Sequence, residues 1–267
     1  MRAKKRLGQH FLHHRQILDR IVSALDPAPG SIVLEIGAGQ GALTEALIRR
    51  GARVTAIEKD AELVPIVRQQ LPQARVVHGD ALELDWRSVA GVLLDEPLLV
   101  TGNIPYNITS PLLAKALLPP RPARIVFLVQ EEVADRLAAP SGGKAYGALS
   151  IGVQAAARVE KLFRVPAGAF RPRPEVDSAV VRLTPLAPPL VADHEVHAFR
   201  GLVVGLFGFR RKQLGRGLRE LTGWPAERAE EVLRRAELES KARPETLAPA
   251  AFVQLLHALI DAGWTPD

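Results

Sequence analysis

The sequence has no cysteine among its 267 residues. This absence excludes disulfide bonds, a thiolate nucleophile and cysteine-ligated metals, and it fits a reducing compartment. No apolar run approaches the roughly 18 residues that span a bilayer. The basic N-terminus also lacks the apolar segment of a secretory signal. The pair His194 and His197 lacks the spacing that places two histidines on one helix face. We therefore expect a cytoplasmic protein with no membrane span and no metal.

Positive charge is in excess. The net charge is +6 and the sequence pI is about 10.0, which favours a polyanionic partner such as a nucleic acid. Two basic clusters are candidates for RNA binding: Lys4, Lys5 and Arg6 in the N-terminal arm, and Arg210, Arg211 and Lys212 on a predicted C-terminal helix. Either cluster could equally be a solvated tail or helix face.

Strand and helix patterns alternate as far as residue 183 and predict a doubly wound, mostly parallel α/β sheet. The proline-rich segment 184–189 interrupts this alternation and is typical of a linker. Beyond it the chain has only helical patterns. We therefore predict an α/β domain over residues 1–186, which includes the basic arm, and a small helical domain over 187–267.

A glycine-rich loop follows the first strand of the predicted sheet. The apolar run Ser31–Ile36 leads into G-A-G-Q-G, where Gly37 and Gly39 would let the backbone approach a ligand at a helix N-terminus. Glu58 ends the second strand, where an acid typically binds ribose hydroxyls. Asp80 follows the third strand and could accept a hydrogen bond from an adenine amino group, although an N-cap is equally common there. Together these features predict a nucleotide-type cofactor site.

The tetrapeptide Asn103-Ile104-Pro105-Tyr106 follows the fourth strand, on a loop at the same edge of the sheet. Ser110 and Pro111 have the residue types of an N-cap and a first helical position. The Asn103 amide oxygen and the Ile104 carbonyl could accept hydrogen bonds from an amino group on a flat ring. Tyr106 could stack on that ring, and Pro105 would fix the chain between them. By itself, however, the tetrapeptide is more typical of a tight strand-to-helix turn.

Two cofactors fit the glycine loop and the acid after the second strand: NAD(P) and S-adenosylmethionine. A dehydrogenase needs a proton relay and a nicotinamide pocket, and the sequence has no motif for either. N-I-P-Y instead matches the (Asn/Asp)-x-Pro-(Tyr/Phe) pattern of methyltransferases that act on the amino group of adenine or cytosine. The combination favours S-adenosylmethionine.

Six ordered segments resemble the bacterial small-subunit (16S) rRNA adenine N6,N6-dimethyltransferase family. They are K-K-R-L-G-Q-H-F-L, E-I-G-A-G-Q-G-A-L-T, G-D-A-L, N-I-P-Y-N-I-T-S-P, V-Q-E-E-V-A-D-R-L and F-R-P-R-P-E-V-D-S-A-V. The resemblance implies a Rossmann-like, seven-stranded methyltransferase domain and a helical C-terminal domain that binds RNA or the ribosome. It also implies dimethylation of two adjacent adenosines in the 3′-terminal hairpin of 16S rRNA, within the 30S subunit or its precursor, by a monomer.

The resemblance also assigns roles to particular residues. Cofactor contacts fall on His10, Leu12, Gly37, Gly39, Glu58, Asp80 and Asn103. The family usually has asparagine where this chain has His10, so a side-chain contact there could be altered. Asn103, Ile104, Pro105 and Tyr106 would hold the target adenine, with Phe170 closing over its other face.

Two alternatives remain open on the sequence. One is a 23S rRNA adenine methyltransferase of the macrolide-resistance type, which has a similar N-I-P-Y. The other is an RNA-binding assembly factor without catalytic activity. The longer segments N-I-P-Y-N-I-T-S-P and V-D-S-A-V favour the 16S enzyme, and the intact cofactor motifs argue against a factor that has lost cofactor binding.

Overall fold

A seven-stranded sheet organises the first part of the chain, in a computed structural model that describes Lys4 and residues 7–265. The strands are β1 (Phe11–Leu12), β2 (Ile32–Ile36), β3 (Arg53–Glu58), β4 (Arg75–His78), β5 (Leu98–Asn103), β6 (Arg124–Gln130), β7 (Ala157–Val165), β8 (Phe170–Arg171) and β9 (Ser178–Pro185). The sheet order is β4-β3-β2-β5-β6-β9-β7, and β1 pairs separately with β8. Strands β2 to β6 are parallel, and β9 is antiparallel to β6. The predicted mostly parallel seven-stranded sheet is confirmed.

The helices are α1 (Arg15–Leu25), α2 (Ala42–Arg49), α3 (Leu63–Gln70), α4 (Trp86–Ala90), α5 (Thr109–Ala116), α6 (Glu131–Ala138), α7 (Ala148–Gln154), α8 (Val196–Gly208), α9 (Leu214–Thr222), α10 (Ala226–Arg235) and α11 (Pro249–Asp261). Helix α1 shows why these segments fold as they do. Its apolar residues recur every three or four positions and are all buried, while Asp26 ends it in a left-handed conformation. No apolar pattern in the sequence predicts the short helix α4. Its N-cap is Asp85, whose side chain accepts a hydrogen bond from the Ser88 amide.

Two local predictions are wrong. Helix α5 begins at Thr109 rather than after Ser110, because a 3-10 turn over Tyr106–Ile108 leads directly into it. Arg210, Arg211 and Lys212 do not lie on a helix. They form the turn between α8 and α9, which the Lys212 amide closes on the Phe209 carbonyl at 2.7 Å.

The carboxyl ends of three neighbouring strands meet at one edge of the sheet. Ile36 of β2 is in register with Ile57 of β3 on one side and with Gly102 of β5 on the other. The residues that follow these strands therefore lie side by side, although up to 70 positions separate them in the chain. Strand β6 shows why the strands are fixed so firmly: its central residues, Ile125 to Val129, are buried on both faces of the sheet.

Gly102 is a position where the fold requires glycine. A Cβ added there would lie 2.4 Å from the Ile36 carbonyl oxygen, which is backbone and cannot move aside. We expect Gly102→Ala to lower the free energy of unfolding by roughly 1–3 kcal/mol, as overpacking does elsewhere. Gly152, an exposed position inside α7 with nothing near its added Cβ, is the control. Gly152→Ala should leave stability unchanged or raise it by up to about 1 kcal/mol in urea unfolding. Equal effects of the two substitutions would contradict this account.

The chain divides into two compact units. The first runs to Ala134 and resumes over Val159–Pro185, and the second consists of Asp135–Arg158 and the chain from Leu186. The sequence analysis placed Asp135–Arg158 before the domain boundary. That segment instead packs with the C-terminal helices, because Tyr146 and Ile151 are buried in the same apolar cluster as Leu206 and Phe252. Within the described residues, no helix is both long and apolar enough to cross a membrane.

Candidate active site

A cleft opens at the carboxyl ends of β2, β3 and β5, with a cavity of about 150 Å³. The parallel strands end here, and ligands of open α/β sheets bind at this edge. The cleft brings together most of the residues that the sequence singled out: His10, Gly37, Gly39, Glu58, Asp80, Asn103, Ile104, Pro105 and Tyr106. Leu12 and Phe170 are not among its lining residues.

The glycine loop takes the conformation that its composition predicts. Gly37 and Gly39 both have positive φ, at 79° and 55°. A Cβ on Gly39 would come within 3.2 Å of the Phe11 ring, so the loop also needs glycine for space. The Gly37 amide donates to the Ile57 carbonyl at 2.8 Å and ties the loop to β3. The loop thereby presents bare backbone to the cleft.

Glu58 is a buried acid at the end of β3. Its carboxylate accepts from the Gly39 amide at 2.8 Å and from the Asp60 amide at 2.7 Å. A carboxylate has about four acceptor sites, so acceptor capacity remains for a hydroxyl group of a ligand. Burial raises the pKa of Glu58, and hydrogen bonds from the amides of Asp60, Gly39 and Lys59 oppose that effect by favouring the charged form.

Asp80 lies at the tip of β4, and its position in the cleft agrees with the prediction. One oxygen accepts from the Leu82 amide at 2.9 Å, so the side chain also caps the following turn. The other oxygen accepts from Lys59 Nζ at 2.6 Å. The Lys59 ammonium is the main reason that the pKa of Asp80 is lowered, so the acid is ionised and can accept further hydrogen bonds.

Asn103 is the last residue of β5 and not, as predicted, the first residue of a loop. Its Nδ2 donates to the His10 carbonyl oxygen at 2.7 Å. A carbonyl can only accept, so this contact fixes which end of the amide is nitrogen. Oδ1 therefore points away from His10 and receives no hydrogen bond from any of the described residues. No local sequence pattern signals this contact, which joins residues 93 positions apart.

The rest of the tetrapeptide is held from both sides. The Ile104 amide donates to the Leu128 carbonyl of β6 at 3.0 Å, and the Ile104 side chain is buried. The Tyr106 hydroxyl bonds to Ser178 Oγ at 3.0 Å, and burial raises the pKa of Tyr106. The phenol is therefore neutral and fixed, with its ring stacked on that of His10.

Two predicted contacts are not brought to the cleft. Phe170 is only 2% exposed and belongs to the apolar core, because β8 pairs with β1 and sets Phe170 opposite Leu12. Leu12 is also buried, beside a smaller cavity behind the glycine loop. The expectation that Phe170 covers the target ring is therefore not met in this conformation.

Lys4 of the N-terminal arm has an anchor within the chain that sequence reasoning missed. Lys4 Nζ contacts Asp60 Oδ1 at 2.7 Å and Glu62 Oε1 at 2.8 Å, while Gln9 Nε2 donates to Asp60 Oδ2 at 2.9 Å. Burial would raise the pKa of Asp60, but the hydrogen bonds from Lys4 and Gln9 outweigh it and lower that pKa. The charge of Lys4 is thus used within the chain. Lys5 and Arg6, which we also predicted to bind RNA, lie outside the described residues.

The second basic cluster is partly neutralised. Arg210 bonds to Glu245 at 3.3 Å, and Lys212 bonds to Glu220 at 2.8 Å. Arg211 is exposed and makes no ion pair with any residue that the structure describes. Of the three predicted residues, Arg211 is therefore the one whose charge is most available to an external anion.

Glu35 is a buried acid that the sequence analysis did not single out. Burial raises its pKa from 4.5 to about 8, although Thr44 Oγ1 donates to it at 2.5 Å. The folded state thus holds a proton that the unfolded chain releases, so stability should fall as the pH rises from about 4.5 to about 8.

We expect Glu35→Gln to match the native protein near pH 4.5 and to be more stable by roughly a few kcal/mol at pH 9. The variant keeps the size of the side chain and has no charge to bury. Glu45→Gln is the control, because Glu45 is exposed and should give no such pH-dependent difference. Urea unfolding across this pH range measures both, and a constant offset between Glu35→Gln and the native protein would refute the assignment.

The cleft has the donors and acceptors that S-adenosylmethionine requires. It offers a loop in which Gly37 and Gly39 have no side chains, a buried acid with acceptor capacity left, and an ionised acid at the next strand end. These fit the amino-acid part, the ribose hydroxyls and the adenine amino group. In contrast, no group of three or more His, Asp or Glu side chains among the described residues could hold a metal ion.

The chain is similar to known proteins over nearly its whole length. Residues 1–260 match the family model described as ribosomal RNA adenine dimethylase. The chain is 41% identical to the ribosomal RNA small subunit methyltransferase A of Acidithiobacillus ferrooxidans, covering 98% of this chain and 96% of that one. It is 43% identical to the protein of the same name from Pseudomonas aeruginosa, with coverage of 97% and 96%.

Solved structures are similar over nearly the whole chain as well. A dimethyladenosine transferase from Plasmodium falciparum has a TM-score of 0.82 at 27% identity, covering 95% of this chain and 98% of that one. The 23S rRNA methyltransferase ErmE has a TM-score of 0.72 at 28% identity, with coverage of 94% and 99%.

Proposed function

The chain belongs to the ribosomal RNA adenine dimethylase family, and on that premise we propose that it dimethylates N6 of two adjacent adenosines in the 3′-terminal hairpin of 16S rRNA. S-adenosylmethionine is the methyl donor. The substrate is the 30S subunit or its precursor, the protein is a cytoplasmic monomer, and the helical unit contributes to RNA binding. Two relatives that are named for the small ribosomal subunit, and whose alignments cover 98% and 97% of this chain, support this choice.

The observation that carries the proposal is the orientation of the Asn103 amide. Because Nδ2 is occupied by the His10 carbonyl, Oδ1 is the end of the side chain available as a hydrogen-bond acceptor. An exocyclic amino group is a donor, so the cleft presents the complementary group at the point where β5 ends. The same cleft is lined by Glu58 and Asp80, which supports a methyl donor bound beside the acceptor at one edge of the sheet.

We assign the cofactor contacts to the residues of this edge. The glycine loop at Gly37 and Gly39 would face the amino-acid part, Glu58 would accept from the ribose hydroxyls, and Asp80 would accept from the adenine amino group. When bound, S-adenosylmethionine supplies a methyl group that is already electrophilic. The protein therefore has to position and activate the nitrogen that receives it.

The nitrogen is a poor nucleophile because its lone pair is delocalised into the purine ring. Hydrogen bonds from its N–H groups to Asn103 Oδ1 and to the Ile104 carbonyl would favour a pyramidal nitrogen with a localised lone pair. The same oxygens stabilise the positive charge that develops on the nitrogen. No general base has to act before the attack, so a neutral asparagine is sufficient, and the proton can leave afterwards to water.

The target base has to leave its stack in the RNA, at a cost of roughly a few kcal/mol. Stacking on an aromatic ring recovers about 1–3 kcal/mol per base. Tyr106 is the ring positioned to do so, since its hydroxyl is fixed by Ser178 and its ring lines the cleft.

A 23S rRNA methyltransferase is the second candidate, because ErmE has the same fold at 28% identity. The small-subunit relatives are more similar, at 41% and 43% identity. A methyl-transfer assay on unmethylated 30S and 50S subunits, with the product nucleoside identified, separates the two. We expect N6,N6-dimethyladenosine in 16S rRNA. Methylation of 23S rRNA alone would refute the assignment, and binding of RNA without transfer would favour a non-catalytic assembly factor.

RNA binding by the helical unit gives a further prediction. Arg211→Glu should weaken binding to 30S subunits by roughly three- to tenfold at low salt, and less at high salt, because phosphate contacts depend on counterion release. Arg210→Glu is the comparison: Arg210 is already paired with Glu245, so part of its effect would come from that ion pair. Filter binding at two salt concentrations measures both. If the Arg211 effect is independent of salt, a phosphate contact is excluded.

A further inference from the structure

His10 lies between the two residues that we assign to the target base. Its carbonyl oxygen accepts from Asn103 Nδ2 at 2.7 Å, and its imidazole is stacked on the Tyr106 ring. The ring centroids are 5.8 Å apart and the planes differ by 23°, which is typical of an offset aromatic pair. The imidazole thus covers part of one face of the Tyr106 ring.

A base cannot enter between these two rings as they stand. A ring sandwiched between two others needs roughly 7 Å between the outer planes, twice the optimal contact of about 3.5 Å. The distance between two planes cannot exceed the distance between their centroids, which is 5.8 Å here. Since the amino group has to reach Asn103 Oδ1, a base that stacks on this face of Tyr106 has to displace the imidazole.

The two rings are not held equally. Tyr106 and His10 are both half-buried, but the hydrogen bond between the Tyr106 hydroxyl and Ser178 is partly shielded from solvent. The His10 ring has one polar contact, an exposed one, in which Nδ1 donates to the Pro172 carbonyl at 2.8 Å. Rotation about the Cα–Cβ bond would break that contact and the stack, yet would leave the backbone link to Asn103 intact. The imidazole is therefore the ring that moves.

We propose that His10 is a mobile cover of the base-binding face of Tyr106, which the target adenine displaces when it enters the cleft. This inference rests on the proposed function, since it requires a flat base in the cleft. The backbone of His10 orients the Asn103 amide, while its side chain shields the tyrosine until RNA supplies a ring that stacks better. His10 is thus a positioning residue with two separable parts.

A substitution series at His10 tests the cover. His10→Ala removes the ring and should lower the KM for unmethylated 30S subunits by roughly two- to tenfold, which is the strength of one aromatic pair. His10→Phe keeps a ring but removes the Nδ1 donor, and its KM should be equal to or higher than that of the native protein. Calorimetry with S-adenosylmethionine, run in parallel, separates any effect on the cofactor. If His10→Ala has a KM equal to or above the native value, the proposal is overturned.

A spectroscopic measurement keeps the test decisive even if a substitution impairs folding. The ring protons of His10 should be shifted upfield by the Tyr106 ring in the free native protein, and Tyr106→Leu should abolish that shift. Identical His10 resonances in the two proteins would overturn the stacked cover without reference to activity. Failure of the native protein to methylate 30S subunits would instead count against the proposed function.

Discussion

Replacement of Asn103 by alanine is expected to reduce methyl transfer by roughly 10²- to 10³-fold, as the loss of one preorganised group at a developing charge does in other enzymes. The side chain supplies the acceptor Oδ1 that we place on the target amino group. Its other end is held by the His10 carbonyl, so the group is oriented before the substrate arrives. Affinity for S-adenosylmethionine should change by no more than about threefold, which corresponds to less than 1 kcal/mol. Single-turnover transfer to 30S subunits and calorimetry with the cofactor measure the two quantities.

Asn107 provides a matched control. It is the only other asparagine in the chain, it lies in the turn after the tetrapeptide, and its exposed side chain is at the rim of the same cleft. Asn107→Ala should stay within about threefold of the native rate, as expected for a surface substitution worth up to roughly 0.5 kcal/mol. Comparable losses at the two positions would mean that Asn103 acts by holding the turn. A parallel loss of cofactor affinity in Asn103→Ala would mean that Asn103 serves mainly the cofactor.

Glu58→Gln should weaken S-adenosylmethionine binding by roughly tenfold to hundredfold, because hydrogen bonds to a charged group contribute about 1.5–3 kcal/mol. The carboxylate accepts from the amides of Gly39 and Asp60 with its two oxygens. A glutamine has a single oxygen, so one of these amides would face an NH2 group and the glycine loop would lose a support. The substitution therefore removes both the charge and part of the preorganisation. Calorimetric titration with the cofactor measures the change.

Glu62→Gln is the control for charge near the site. Glu62 is exposed and pairs with Lys4, whose ammonium also contacts Asp60. A surface pair of this kind is worth up to about 1 kcal/mol, so cofactor affinity should fall by no more than roughly fivefold. If the two variants bind equally well, Glu58 does not contact the ribose.

Hydrogen bonds connect Lys4 and Gln9, near the N-terminus, to the cofactor part of the cleft. Asp60 accepts from Lys4 and Gln9 of the arm, and its own amide donates to Glu58. The arm is thereby connected, through one buried acid, to the residue that we place on the ribose. A basic N-terminus that resembles a nucleic-acid contact in sequence thus has an internal partner for at least its Lys4 charge.

The sequence by itself determined the sheet, the cofactor edge and the tetrapeptide. Gly37, Gly39 and Asp80 come shortly after strands, Glu58 and Asn103 end strands, and the carboxyl ends of parallel strands meet at one edge. Alternating apolar runs and glycine spacing are local patterns, so they can be recognised in the sequence without knowledge of the packing. The same reasoning failed at Arg210 to Lys212, where a turn replaced the predicted helix.

Only the tertiary structure decided how those residues are used. The Asn103 amide is oriented by His10, the Lys4 charge is taken up by Asp60, and Phe170 is buried in the core by the pairing of β8 with β1. Each of these contacts joins residues more than 50 positions apart. No local pattern encodes such a pair, because the partner is set by the path of the whole chain, and it is these pairs that fix which polar atoms remain free to bind a ligand.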